Sequence, residues 1–210
     1  MKSSSLMSLI IAGLLGAGSV SSYAAGEEVQ AIKVATGSAS SGDGNTVKLM
    51  GNDMPLSGQA LKVGDPLPDA IVIGGNLAPV NIAEAKGRVR IISIVPSVDT
   101  PTCEAQTHQL SEKDRKLAEK VDMITISMDL PFAQQRFAKE AKIKNVTFYS
   151  DYNSAQFGKN NGLLMEPLRL LARAVIVTDK DNVVRYIQVV PEVTQLPDMP
   201  AAMNFAKTLL

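Results

Sequence analysis

The amino-acid sequence predicts an α/β fold: a mixed sheet flanked by helices, with a β-hairpin at its amino end. Three observations predict it. Short apolar runs rich in β-branched residues, at 91–95, 123–128 and 146–149, alternate with helical patterns, as strand–helix–strand units do. Two strong strands at 172–178 and 183–190 flank the turn Asp179-Lys180-Asp181-Asn182 and add an antiparallel hairpin late in the chain. An earlier pair, 47–50 and 54–61, flanks Gly51-Asn52-Asp53, a short glycine-containing loop of the kind that closes a hairpin.

The elements follow in order. Residues 1–24 carry one positive charge, Lys2, then an apolar run including 6–15, and end in Ser22-Tyr23-Ala24. That is the layout of a secretory signal peptide, so export is expected. Glycine and serine break the run, which is short for a permanent bilayer span. Residues 25–45 are rich in Ser, Gly and Ala and read as a flexible leader; the domain is placed at 46–210. After the first hairpin comes a turn-rich stretch at 63–68, a short strand at 70–73, and a helical turn at 80–85 ended by Gly87. The run Ile91, Ile92, Ile94, Val95 is a buried strand stopped by Pro96, which has no amide hydrogen for a ladder. A helix follows: Thr100 can cap it, Pro101 suits its first position, and Leu110, Leu117 and Val121 recur at helical spacing. Pro131 opens another helix over 131–143, residues 153–160 form a short one, and 198–210 closes the chain as a helix.

Composition narrows the function classes. The 210 residues hold 21 Lys+Arg and 21 Asp+Glu, so loss of Lys2 with the signal leaves 20 against 21, a charge of −1. Such a balance draws the protein to neither nucleic acid nor a membrane surface. One cysteine allows no internal disulfide, and one histidine, His108, supports neither a His-based metal cluster nor a Cys-His-Asp triad. His108 reads as a surface helix residue. Gly74-Gly75 lacks a phosphate-binding pattern, and the nine methionines read as core filling. No cofactor and no metal are expected.

The single cysteine stands where a strand ends and a helix begins. A free cysteine is commonly a small buried hydrophobe, but Thr100, Thr102 and Glu104 around Cys103 are polar. The helix start supplies free amides and the positive end of a dipole, which favour thiolate over thiol. Thr100 lies one turn earlier, within reach of the sulfur, whereas Glu104 opposes ionisation. Attack on a peroxide requires a thiolate at a partly exposed position, so partial exposure of Cys103 is expected.

These residues also resemble a known family. Pro96-Ser97-Val98-Asp99-Thr100-Pro101-Thr102-Cys103 resembles the Pro-x-x-x-Thr-x-x-Cys signature of peroxiredoxins, and its wording is similar to the thiol peroxidase subfamily. Residues 126–134 with Arg136-Phe137 resemble that subfamily's next block, and Ala172-Arg173-Ala174-Val175 its arginine-bearing block. The resemblance covers about 47–210. It implies a thioredoxin-like fold, and Cys103 as a peroxidatic nucleophile that becomes a sulfenic acid. It further implies that Thr100 hydrogen-bonds sulfur and peroxide, that Arg173 favours the thiolate and steadies developing charge, and that Pro96 shields the pocket. Arg136 is a weaker candidate, as an arginine on an exposed helix face. The implied substrates are hydrogen peroxide or alkyl hydroperoxides, without metal, haem or flavin, in a homodimer.

One departure stands out. Where typical members carry a resolving cysteine after the Arg-Phe pair, this chain has Ala138. The sulfenic acid must then be reduced by an external thiol or a thioredoxin-like protein partner, or form a disulfide between chains. The full expectation is a one-cysteine thiol peroxidase exported to the periplasm of a Gram-negative bacterium. The rival readings are a thiol–disulfide exchange protein, a peroxide sensor that passes its oxidation to a partner, and a member with an inert thiol. Exchange is disfavoured because Thr100 stands where a Cys-x-x-Cys enzyme has its first cysteine.

Overall fold

The computed structural model describes residues 31–84, 87–112 and 115–210. In chain order the elements are β1 (Thr46–Leu49), β2 (Asn52–Ser57), β3 (Ile71–Gly74), β4 (Pro79–Asn81), β5 (Val89–Ile94), α1 (Pro101–Glu112), α2 (Arg115–Lys120), β6 (Val121–Ser127), α3 (Pro131–Glu140), β7 (Thr147–Ser150), α4 (Gln156–Asn160), β8 (Leu164–Met165), β9 (Leu170–Leu171), β10 (Ala174–Thr178), β11 (Val184–Val189) and α5 (Met199–Lys207). Residues 32–210 form one compact unit. The signal peptide expected at 1–24 and the first residues of the expected leader lie outside the described residues.

The main sheet is mixed, with strand order β11-β10-β5-β6-β7-β3-β4. The pairs β5·β6 and β6·β7 are parallel, and β10 is antiparallel to both β5 and β11. β5 is continuously apolar apart from Arg90 and Ser93 because both its faces are covered. Ile92 and Ile94 face one cluster with Leu56, Phe157, Leu163 and Ile176. Val89 and Ile91 face the other, with Leu110, Leu117, Met199 and Met203. Each fully buried isoleucine of β5 contributes about 1.5–3 kcal/mol. Met123, Met165, Met199 and Met203 are buried, so these methionines do fill the core, whereas Met50 is 79% exposed.

The amino-terminal hairpin forms, with its turn one residue earlier than expected. Met50 and Gly51 turn the chain at φ 53° and 79°, the left-handed pair of a type I′ turn, while Asn52 and Asp53 pair with Leu49 and Lys48. β2 then pairs with β8, and β8 with β9, a hairpin whose two-residue strands are too short to leave a periodic pattern. Gly58, at φ 110°, lets β2 end against α4; a Cβ there would lie 1.8 Å from the Lys159 carbonyl oxygen.

Four expectations are corrected. The helical turn placed at 80–85 is instead strand β4, paired with β3, and a turn at 82–84. Val121 does not continue the helical pattern of Leu110, on α1, and Leu117, on α2; it opens β6 opposite Val89, because a β-branched residue before an alternating apolar run joins the strand. The helices expected at 131–143 and 153–160 are shorter, α3 and α4. Over residues 33–41 the expected flexible leader is held in place: Ala35 N–H donates to Leu196 O at 2.8 Å and Ala39 N–H to Val189 O at 2.8 Å. β11 is an edge strand whose free groups invite a partner, and the leader supplies one.

Asp151 is a buried carboxyl with no part in the chemistry below. It accepts the N–H groups of Phe157 at 3.0 Å and Gly158 at 2.8 Å and so anchors the start of α4. Burial pushes it up to about 6, outweighing the backbone donors of Gly158, Phe157 and Gln156. A raised folded value means the proton binds more tightly in the folded state. The group's contribution to stability is therefore full below the ordinary carboxylate range and lost as pH rises through about 6. Between about pH 4 and pH 7, urea unfolding should show the wild type losing on the order of 2–3 kcal/mol relative to Asp151→Asn. A flat difference between the two proteins would contradict this.

Candidate active site

The β5–α1 connection places the sulfur. β5 ends at Ile94, and Pro96 follows, buried. Thr100 caps α1: its carbonyl accepts Glu104 N–H at 3.0 Å and its Oγ1 accepts Cys103 N–H at 3.4 Å. The same hydroxyl donates to Cys103 Sγ at 2.8 Å. Arg173, just before β10, reaches across and donates from Nη2 to Sγ at 3.3 Å. Cys103, Thr100 and Arg173 are thus brought together over 70 residues of sequence separation. Pro96 makes no such bond; it sits on the loop between Val95 and Val98, both of which pack in the Cys103 cluster with Phe137 and Ile143.

Every nitrogen of the Arg173 guanidinium is engaged. Nε donates to Val193 O at 2.7 Å, Nη1 to Gln106 Oε1 at 2.7 Å, and Nη2 to the sulfur. Gln106 is fixed in turn, donating to Ser93 Oγ at 2.7 Å and to the carbonyls of Ile94 and Ala174. Among the described residues no carboxylate forms an ion pair with Arg173, although it is only 2% exposed. Two of its three acceptors are neutral oxygens, Val193 O and Gln106 Oε1; the sulfur is the one contacting atom able to carry a negative charge.

The loop before α1 is tied to the start of α3 by Asp129. Its carboxylate accepts Ser97 Oγ–H at 2.8 Å, Val98 N–H at 2.7 Å and Ser127 Oγ–H at 2.7 Å. Arg136 pairs with the exposed Asp99 at 3.5 Å, a surface pair of small worth. His108 lies between Glu112, at 2.8 Å, and Glu104, at 3.7 Å, as a surface helix residue. The carboxylate of Glu104 is 54% exposed, so water screens its charge from the buried sulfur.

The expected partial exposure of the sulfur is corrected: Cys103 is 0% exposed. The apolar side chains of Val95, Val98 and Phe137 close over it, while Thr100, whose hydroxyl touches it, is exposed. Sequence reasoning missed Gln106, Asp129 and the Val193 carbonyl. Gln106 had a signal, since it follows Cys103 by three residues and shares its helix face; a backbone carbonyl twenty residues beyond Arg173 has none.

The chain is similar to known proteins over most of its length. The redoxin family matches residues 62–203. The thiol peroxidase of Halalkalibacterium halodurans is 42% identical over 165 residues, covering 79% of this chain and 99% of that protein. The thiol peroxidase of Aquifex aeolicus is 42% identical over 167 residues, covering 79% and 98%. The crystal structure of a peroxiredoxin-like protein from Aquifex aeolicus has a TM-score of 0.74 at 42% identity, covering 79% of this chain and 97% of that one. With so much of the chain matched at that identity, it belongs to the redoxin family, as a peroxiredoxin of the thiol peroxidase subfamily.

Proposed function

We propose that the chain is a thiol-dependent peroxidase whose nucleophile is Cys103, and that an external thiol completes its cycle. The observation that carries this reading is the buried Arg173 guanidinium, held at 3.3 Å from the sulfur with no carboxylate partner among the described residues. It favours a negative sulfur by direct charge attraction, and the start of α1 adds its amides. The thiolate attacks the distal oxygen of a hydroperoxide, a sulfur–oxygen bond forms, and the oxygen–oxygen bond breaks. Sulfur is oxidised to sulfenic acid, and the leaving alkoxide or hydroxide takes up the proton the thiol gave. Arg173 and the Thr100 hydroxyl stabilise the charge that passes between sulfur and the leaving oxygen. Thr100, whose hydroxyl touches the sulfur, is exposed, so a small substrate approaches from its side of the site.

With Ala138 on α3 and one cysteine in the chain, the sulfenic acid has no internal partner. A first external thiol forms a mixed disulfide and releases water; a second restores Cys103 and leaves with the first as a disulfide. Export to the periplasm is supported by Lys2, the apolar run and Ser22-Tyr23-Ala24. Pairing as a homodimer is supported by Phe132, 62% exposed, and Leu130, 49% exposed, at the start of α3 beside the site. The mature protein with a small thiol and hydrogen peroxide should consume peroxide in step with thiol oxidation. Reduction of insulin disulfides without peroxide turnover would instead favour the exchange reading.

A further inference from the structure

Arg173 takes its pose from a loop. Its Nε is held by the carbonyl of Val193, and residues 191–195 belong to no helix or strand. Loops are the more mobile parts of a fold, so a guanidinium aimed from one requires that the loop be fixed. The amino-terminal hairpin fixes it. The Lys48 N–H donates to Pro191 O at 2.7 Å, and the Lys48 carbonyl accepts Val193 N–H at 2.7 Å. Between these two bonds lies Glu192. Its Oε1 accepts Met50 N–H at 3.1 Å, Thr194 N–H at 3.2 Å and the Thr194 hydroxyl at 2.9 Å, and its Oε2 accepts Gly51 N–H at 3.0 Å.

The hairpin turn suits that carboxylate. With φ at 53° and 79°, Met50 and Gly51 are both left-handed, and both their N–H groups reach the one carboxylate, an anion-binding concavity of the kind successive backbone amides form. Partial burial pushes the Glu192 carboxyl up, but the amides of Gly51, Thr194 and Met50 together hold it below its usual range. Thr102 on α1 also donates to Thr194 O, at 3.5 Å, so the same loop touches the helix that bears Cys103.

We propose that Glu192 is a positioning residue for the peroxidase reaction: by clasping the Met50-Gly51 turn it fixes the Val193 carbonyl that aims Arg173 at Cys103. This rests on the roles given above to Cys103 and Arg173. It also gives the amino-terminal hairpin a part in the chemistry, through a turn more than fifty residues before the cysteine in sequence.

The test is a double-mutant cycle read as the rate constant for oxidation of Cys103 by hydrogen peroxide, followed by intact-protein mass spectrometry. Four proteins are compared: wild type, Glu192→Gln, Arg173→Met and the double variant. Glutamine keeps the shape but turns an amide group toward N–H donors. Glu192→Gln should oxidise roughly 3- to 30-fold more slowly than wild type, and the double variant no more slowly than Arg173→Met alone. A rate equal to wild type, or the same loss in both backgrounds, overturns the proposal, since a merely structural role would slow both alike. Should Glu192→Gln fail to fold, Thr194→Val removes one donor to the same carboxylate at an exposed position. A slowing that depends on Arg173 supports the proposal there, and its absence overturns it. Failure of the Cys103 assignment shows separately, as a wild-type cysteine that peroxide leaves unchanged.

Discussion

Cys103→Ser is expected to abolish peroxide consumption, lowering the rate by at least about 10³-fold, as loss of an attacking nucleophile does. The fold should survive. Serine is close to cysteine in size, and its hydroxyl meets ready partners in Thr100 and Arg173, which bond the sulfur at 2.8 Å and 3.3 Å. A buried hydroxyl with partners costs little, so thermal unfolding should stay near that of wild type while activity disappears. The pair of readings separates loss of chemistry from loss of structure. Equal peroxide consumption by Cys103→Ser and wild type would end the peroxidase reading of this cysteine.

The second large effect is expected at Arg173. Arg173→Met removes the charge beside the sulfur and the donor aimed at the developing negative charge. A buried hydrogen bond to a charged group is worth about 1.5–3 kcal/mol, and deleting a donor that steadies a transition-state anion costs about 10²–10³ in rate. The rate of Cys103 oxidation should therefore fall by about 10²–10³-fold. Lysine keeps the charge but not the fork that holds Val193, Gln106 and the sulfur at once, so Arg173→Lys should recover only part of the loss. The comparison of the two variants distinguishes charge from packing: methionine and lysine both lose the fork, so equal rates for the two would contradict a role for the charge.

How much of this was legible in the sequence follows from where each signal lives. The β5–α1 corner could be read because every part of it is local. A β-branched run, a proline, a capping threonine and a helix-opening proline lie within twelve residues, and the structure has each in the expected role. The late hairpin was legible for the same reason: Asp179 receives the N–H groups of Asp181 and Val183, as an Asx-type turn does. Val121 was misplaced because its spacing from Leu117 fits a helix equally well, and only pairing with Val89 decides for a strand. Arg173 was identified through family resemblance, since an arginine before a strand is otherwise a surface charge. The burial of Cys103 left no local mark. It arises from Val95, Val98, Phe137 and Ile143, whose convergence is a property of the assembled sheet and α3.

The part played by residues 33–41 was illegible for a related reason. A Ser- and Gly-rich stretch has little apolar surface to bury, so composition favours disorder. What holds this one is mostly its own backbone, bonded to an edge strand and Leu196 and to the Gln188 amide, and backbone groups are the same in every sequence.

The most direct test is mass spectrometry of the mature protein after one equivalent of hydrogen peroxide, with a sulfenic-acid trap present and no added thiol. The expected result is a single oxygen gained at Cys103, captured by the trap and removed when a small thiol is supplied instead. Peroxide consumed while Cys103 remains a free thiol, or oxidation confined to the methionines, would contradict it.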